Sequence, residues 1–233
     1  MIQLSEFLQS VSEPFIGSEI ITLAKCFGNE WQRFCIYKNE NNSNIVRFEN
    51  RLLISGDVDT EEIIQFARMT GIAYIEGLRR DFSQITKADI HSIMVYEGEK
   101  SAVTLNCQSD NTKQIFNILK ISDSNFSNKT NYDEWLSFIR RKQSMGLCTE
   151  FLYNNSVTAA ISARGLGFSL ISDVATIPSM RNNGLATALL ADIASAEKLS
   201  GFTPFVVSEN YQTDGFYKKS HFKKCEEKII ITI

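Results

Sequence analysis

The stretch Asp173-Val-Ala-Thr-Ile-Pro-Ser-Met-Arg-Asn-Asn-Gly-Leu-Ala-Thr-Ala-Leu-Leu190 holds the residues whose spacing points most directly to chemistry. A strand-like run passes through Pro178 into Arg181-Asn182-Asn183-Gly184-Leu185-Ala186 and then straight into a helix. At a helix start the first backbone N–H groups lack intrahelical acceptors and the dipole is positive, so such a turn can hold a pyrophosphate by its amides. Gly184 and the small Ala186 permit close approach, and Arg181 can add a charge-assisted contact. The Gly-Lys-Ser/Thr of a P-loop and the Gly-x-Gly-x-x-Gly of a dinucleotide site are both missing, so nucleotide hydrolysis and hydride transfer lose support.

Other reactive residue types offer less. Cys26, Cys35, Cys107, Cys148 and Cys225 are scattered without a Cys-x-x-Cys pair, and only His91 and His221 could join them, so no metal site is expected. Cys35, Cys107 and Cys148 lie in apolar, strand-like runs, where a free thiol behaves as a small hydrophobe.

The elements that must position the turn can be read from periodicity and punctuation. After residue 100 the expectation is a strand at Ala102 to Cys107, helices at Thr112 to Lys120 and Tyr132 to Lys142, and strands at Cys148 to Tyr153, Val157 to Ala163 and Phe168 to Ile177. A helix from Asn183 to Leu199 follows, then a strand Pro204 to Val207, a short helix Thr213 to Ser220, and a closing hairpin of Phe222 to Lys224 with Lys228 to Thr232. Before residue 100, Asn44 to Ser55 reads as strand or hairpin, Thr60 to Met69 as a helix ended by Gly71, and Ile72 to Ile75 and Ile90 to Tyr96 as short strands. The expected organisation is an N-terminal α/β domain over 1–100 and a second domain over 101–233.

The run Arg-x-x-Gly-x-Ala after a strand ending in Val-Ala-Thr-x-Pro resembles the acyl-CoA-binding motif of the GNAT family of N-acetyltransferases, and the element order after residue 100 is similar to that family's. Asn210-Tyr-Gln-Thr-Asp-Gly-Phe-Tyr217-Lys-Lys-Ser-His-Phe222 resembles the family's later pattern Asn-x-x-Ala-x-x-Leu-Tyr-x-x-x-Gly-Phe. Thr213, Phe216 and His221 depart from it, and His221 stands where the family has a conformationally free glycine. The resemblance covers Ser101 to Ile233. It implies an α/β (α+β) fold with a mixed, mostly antiparallel sheet flanked by helices, preceded by a smaller N-terminal α/β domain that could be a degenerate copy of the same fold.

For function, the resemblance implies transfer of an acetyl group from acetyl-CoA to a primary amine, with no metal. The backbone of Val174, Ala175 and Thr176 would bond the pantetheine arm, in a splay between that strand and Pro204 to Val207. Arg181, Asn182, Asn183, Gly184, Leu185 and Ala186 would hold the pyrophosphate, Asn210 would touch the pantetheine or the adenosine side, and Tyr217 would protonate the departing thiolate as general acid. A phenol of pKa about 10 can serve a thiol whose pKa is near 8.5. Asp173 and Glu209 are the nearest carboxylates for the attacking amine. Plainer readings are a simple helix-start turn at Gly184, a helix cap at Asn210 and a packed aromatic at Tyr217. The alternative function is a catalytically weak acyl-CoA-binding regulatory module.

Composition narrows the partners. The chain has 233 residues, 24 Lys+Arg against 27 Asp+Glu, a net charge of −3 and no basic block, which argues against nucleic acid. The longest run without a charged residue, Phe151 to Ala163, is shorter and more polar than a membrane-spanning helix, and the start has no signal-peptide pattern. A cytoplasmic enzyme acting on a small-molecule or peptide amine acceptor is expected, as a monomer or homodimer.

Overall fold

A computed structural model describes residues 4–38, 43–82, 85, 87–99, 111–123, 126, 128 and 130–233. In chain order the main elements are α1 (Leu4–Ser10), α2 (Pro14–Phe27), β1 (Phe34–Lys38), β2 (Asn44–Phe48), β3 (Arg51–Ser55), α3 (Thr60–Thr70), β4 (Tyr74–Leu78) and β5 (Asp89–Tyr96). They continue as α4 (Thr112–Ser122), α5 (Tyr132–Ser144), β6 (Thr149–Tyr153), β7 (Val157–Gly165), β8 (Phe168–Thr176), α6 (Leu185–Leu199), β9 (Thr203–Ser208), α7 (Tyr211–Lys219) and β10 (Phe222–Thr232). The expected strand at Ala102 to Cys107, with Cys107 in it, lies outside the described residues, as does the point near residue 100 where two domains were expected to meet.

Local chemistry accounts for many of these bounds. Asp59 accepts from the amides of Glu61 and Glu62 to start α3, and Gly71, at φ 71°, ends it in the left-handed conformation that glycine adopts without penalty. Asn131 caps α5 in the same way through Asp133 and Glu134. Those two first-turn carboxylates also suit the positive end of the helix dipole.

Among the described residues the strands form one sheet in the order β1-β2-β3-β4-β10-β5-β9-β8-β7-β6. Its pairs are antiparallel except β3 with β4 and β8 with β9. Alternation along the strands separates two layers. Leu53, Ile93 and Phe205 join α2 on one face, and Leu52, Ile54, Met94 and Val206 turn to the other, where α3 and α6 pack. Helices α4 and α5 cover the end of the first face through Ile115, Phe116, Leu119, Trp135 and Ile139, packed on Cys148 and Leu152.

The expected closing hairpin is corrected to one continuous strand, β10. The pairing with β5 shifts by one residue between Lys224 and Glu226, so Cys225 is a bulge rather than a turn. Glu226 and Glu227, which lie between the two expected strands, are held in β10 by ion pairs with Arg80 and Arg79. The neighbour of β9 is therefore β5, from before residue 100, and not a last strand of the C-terminal part.

Candidate active site

The parallel pairing of β8 with β9 covers only Phe168–Thr203, Ser169–Pro204 and Leu170–Phe205. Beyond Leu170 the strands part. β8 continues along β7 alone, with Ala175 opposite Thr158 and Thr176 opposite Val157, while β9 runs along β5, with Val207 opposite Ile93 and Ser208 opposite Ser92. Residues 172–177 are half-buried although β8 lies inside the sheet, because its β9-facing edge opens into this cleft. A bulge adds to the parting: the β7 register shifts between Thr158 and Ala160, and Asp173 has φ 54°.

The chain leaves β8 through a 3₁₀ turn, Pro178–Met180, and enters α6 with two left-handed residues, Asn182 at φ 64° and Gly184 at φ 73°. The first amide bonded back along the helix is that of Ala188, to the carbonyl of Gly184 at 3.0 Å. The amides of Leu185, Ala186 and Thr187 have no intrahelical acceptor. Side chains cap α2, α3, α5 and α7, through Glu13, Asp59, Asn131 and Asn210, but among the described residues none caps α6. A Cβ at Gly184 would meet nothing within 4 Å, so the space over this helix start is open. No carboxylate lies between Val174 and Ala191. An uncapped helix start, an unpaired strand edge and an acid-free turn fit the pyrophosphate and amide-bearing arm of an acyl-CoA.

Arg181 is exposed, with Nε 3.2 Å from the carbonyl of Thr176 and a terminal nitrogen 3.4 Å from that of Ser122. Asn183 donates to the carbonyl of Met180 at 3.2 Å, which braces the turn. Val174, Leu185 and Ala186 lean on the core beneath α6, and Ala175 on the cluster beneath α4 and α5.

Tyr217 lies on α7, its ring 5.1 Å from Phe216 and 5.8 Å from Phe222, packed on the same core as Val174, Leu185 and Ala186. Burial, reinforced by the charge of Glu209, pushes its hydroxyl up to about 12, so it stays protonated at physiological pH. Asn210 is the N-cap of α7: its Oδ1 accepts from the amides of Gln212 and Thr213, each at 3.0 Å, and Thr213 Oγ1 accepts from the amide of Asn210 at 3.2 Å. Thr213 thus closes a reciprocal capping box, which explains the departure from alanine there. His221 adopts φ 65°, the conformation that the family's glycine provides.

Asp173 lies at the bulge of β8. Burial raises its carboxyl above the ordinary range, and the nearby Lys142 charge and the Ser172 hydroxyl offset this only in part. Lys142 is itself buried and donates to the carbonyl of Ser162 at 2.8 Å. Sequence reading did not foresee the bonds of Ser122 to Thr176 and Lys142 to Ser162, nor strand β5 as the neighbour of β9. Lys142 follows Phe138 and Ile139 by four and three residues, so helical spacing placed it near the buried face; nothing local marked the other two.

The region matches known proteins in the same place. Residues 112–222 match the family model described as the acetyltransferase (GNAT) family. No curated protein matches this chain. Solved structures similar to it include a GCN5-related N-acetyltransferase from Kribbella flavida, 12% identical over 93% of each chain with a TM-score of 0.57. A GCN5-related N-acetyltransferase from Sphaerobacter thermophilus is 10% identical over 84% of this chain and 74% of its own, with a TM-score of 0.55. A Drosophila protein is 9% identical over 99% and 95%, with a TM-score of 0.59. At these identities the likeness speaks for the fold, which is the mixed, mostly antiparallel sheet flanked by helices. Residues 112–222, which hold the splayed strands and the uncapped helix, are a GNAT acetyltransferase domain in the C-terminal part of this chain.

Proposed function

We propose that the chain is an acetyl-CoA-dependent N-acetyltransferase that acts on a primary amine of a small molecule or peptide. The observation that carries this reading is the coincidence, on one cleft, of the unpaired edge of β8 and the uncapped start of α6. Acetyl-CoA as co-substrate supplies the activated acyl group. The amides of Leu185, Ala186 and Thr187, with Arg181, bind its pyrophosphate, and the free edge of Val174 to Thr176 bonds the pantetheine arm. A strand N–H on that edge is aimed where the thioester oxygen gathers charge.

Tyr217 holds its proton and offers it to the sulfur as the thiolate leaves. The attacking amine must give up a proton, directly or through water, and Asp173 and Glu209 are the carboxylates nearest to the site in sequence. Asn210, whose side-chain oxygen caps α7, fixes the helix that carries Tyr217 and touches the pantetheine or the adenosine side of the co-substrate.

Thermal shift with acetyl-CoA, ATP and NAD tests the binding half of this reading: acetyl-CoA alone should raise Tm. Release of thiol from acetyl-CoA, followed across a panel of amines, amino acids, aminoglycosides and peptides, tests turnover. Stabilisation by acetyl-CoA without turnover on any amine would favour a regulatory acyl-CoA-binding module instead.

A further inference from the structure

The strand order repeats itself about the centre of the sheet. From one edge it runs β1, β2, β3, β4, and from the other β6, β7, β8, β9, in each case an antiparallel meander, a helix, and a strand parallel to the third. The likeness extends to single bonds. The β2–β3 and β7–β8 turns each span two residues, with Glu49 at φ 55° and Leu166 at φ 53°. Helices α3 and α6 end at left-handed Gly71 and Gly201, followed by matching amide bonds, Ile72 to Ala67 at 3.0 Å and Phe202 to Glu197 at 2.9 Å. The next strands are entered with equivalent bonds, from Ala73 to the carbonyl of Asn50 at 2.8 Å and from Thr203 to that of Gly167 at 2.7 Å.

The halves differ where the second one forms its cleft. Eight residues join β8 to α6, but only four join β3 to α3. The start of α3 is taken by the Asp59 carboxylate, with Asp57, Glu61 and Glu62 beside it, where α6 has no side-chain cap and no acid. The counterpart of the splay is zipped. Val58 bridges to Phe82, its amide donates to the carbonyl of Asp81 at 3.1 Å, and Gly56 donates to the Asp81 carboxylate at 3.1 Å. Phe82 packs so closely over Gly77 that a Cβ there would fall 2.6 Å from its ring. The last strands are exchanged: β5 of the first half lies against β9, and β10 of the second lies against β4.

We propose that residues 34–96 are a second copy of the acetyltransferase unit whose acyl-CoA site has been closed by its own side chains, and that this copy completes the working half by lending it β5. The inference rests on the proposed function for the identity of the ligand. A four-residue turn has no room to wrap a pyrophosphate, and a carboxylate on the helix start repels one. In exchange, β5 pairs the outer edge of β9 from Phe205 to Ser208, so that β9 holds its position across the cleft from β8.

Calorimetric titration of the full-length chain with acetyl-CoA should give one molecule per chain, and Gly184→Asp should give none. Two molecules per chain in the wild type, or binding that survives Gly184→Asp, would place a working site in the first half and overturn the closure. Native-state hydrogen exchange across a urea series tests the exchanged strand without any ligand: amides in β3 and β4 should open with the same free energy as those in β8 and β9. If β3 and β4 opened first while β9 kept its protection, β5 would not be completing the working half. A wild type that bound no acetyl-CoA would end the proposed function and leave the first half closed, so the two readings fail separately.

Discussion

Ser122 donates its hydroxyl to the carbonyl of Thr176 at 3.1 Å, tying the end of α4 to the strand end from which the turn into α6 departs. Arg181 rests against the same carbonyl and against that of Ser122, so its guanidinium is held at the mouth of the cleft by two acceptors that a phosphate can replace. Hydrogen bonds to charged groups contribute about 1.5–3 kcal/mol, so Arg181→Ala should raise the Kd for acetyl-CoA about 10- to 100-fold. Ser122→Ala should weaken binding by less, because it loosens the turn without removing a ligand contact. Fluorescence or calorimetric titration checks both. Equal affinity in Arg181→Ala would mean that the backbone amides hold the phosphates unaided.

His221 occupies a left-handed position in the turn between α7 and β10. A non-glycine residue there costs roughly 1–2 kcal/mol, and glycine recovers part of this against its larger unfolded-state entropy. His221→Gly should therefore stabilise the chain by about 0.5–1 kcal/mol, a rise of roughly 1–4 °C in Tm for a chain of this size. A fall in Tm would show that the imidazole makes a compensating contact.

A buried ionic cluster ties the two halves of the sheet together under α2. Glu76 lies 2.6 Å from Lys228 and 3.0 Å from Arg51, and Arg51 lies 3.2 Å from Glu19. Burial alone would raise the Glu76 carboxyl, but Lys228 and Arg51 outweigh it and hold the group at about 2. A depressed carboxylate contributes stability that is present above its unfolded value, near 4.5, and lost as pH falls through its folded value. Glu76→Gln leaves buried cations short of a partner and should cost about 3–5 kcal/mol at neutral pH. Chemical denaturation should show the gap between variant and wild type narrowing from pH 4.5 towards pH 2. A gap independent of pH would assign the loss to packing.

What was legible in the sequence was whatever chemistry is local. Gly184 before a run of small and apolar residues, Asn210 at the start of α7 and Gly71 after α3 each act on backbone within a turn of themselves, and the elements they bound stand close to where they were expected. The last strand was misread because what keeps Glu226 and Glu227 extended is Arg80 and Arg79, nearly 150 positions away in the chain. The role of β5 was hidden for the same reason: Ile93 and Val95 announce a strand, but not that its partners are Val207 and Phe205. Tyr217 stood out only through the spacing of its neighbours, since a half-buried tyrosine on an apolar helix face is otherwise a packing residue.

Tyr217 is where an acetyltransferase and an acyl-CoA binder part company. Replacing it with Phe keeps the ring between Phe216 and Phe222 and removes the hydroxyl, so acetyl-CoA affinity and Tm should change little. The rate should fall. General-acid assistance is typically worth about 10²- to 10⁴-fold, and the loss should lie near the lower figure. A phenol held at about 12 is a weaker acid than a thiol near 8.5, so it stabilises the leaving sulfur by donating a hydrogen bond more than by completing the transfer. For the same reason the alkaline side of the pH–rate profile should show no loss from this group below pH about 10. Steady-state assays with an acceptor found in the amine panel, under conditions where chemistry limits turnover, decide it. A Phe variant that kept the full rate would make Tyr217 a packing residue, and the proton for the thiolate would have to come from water.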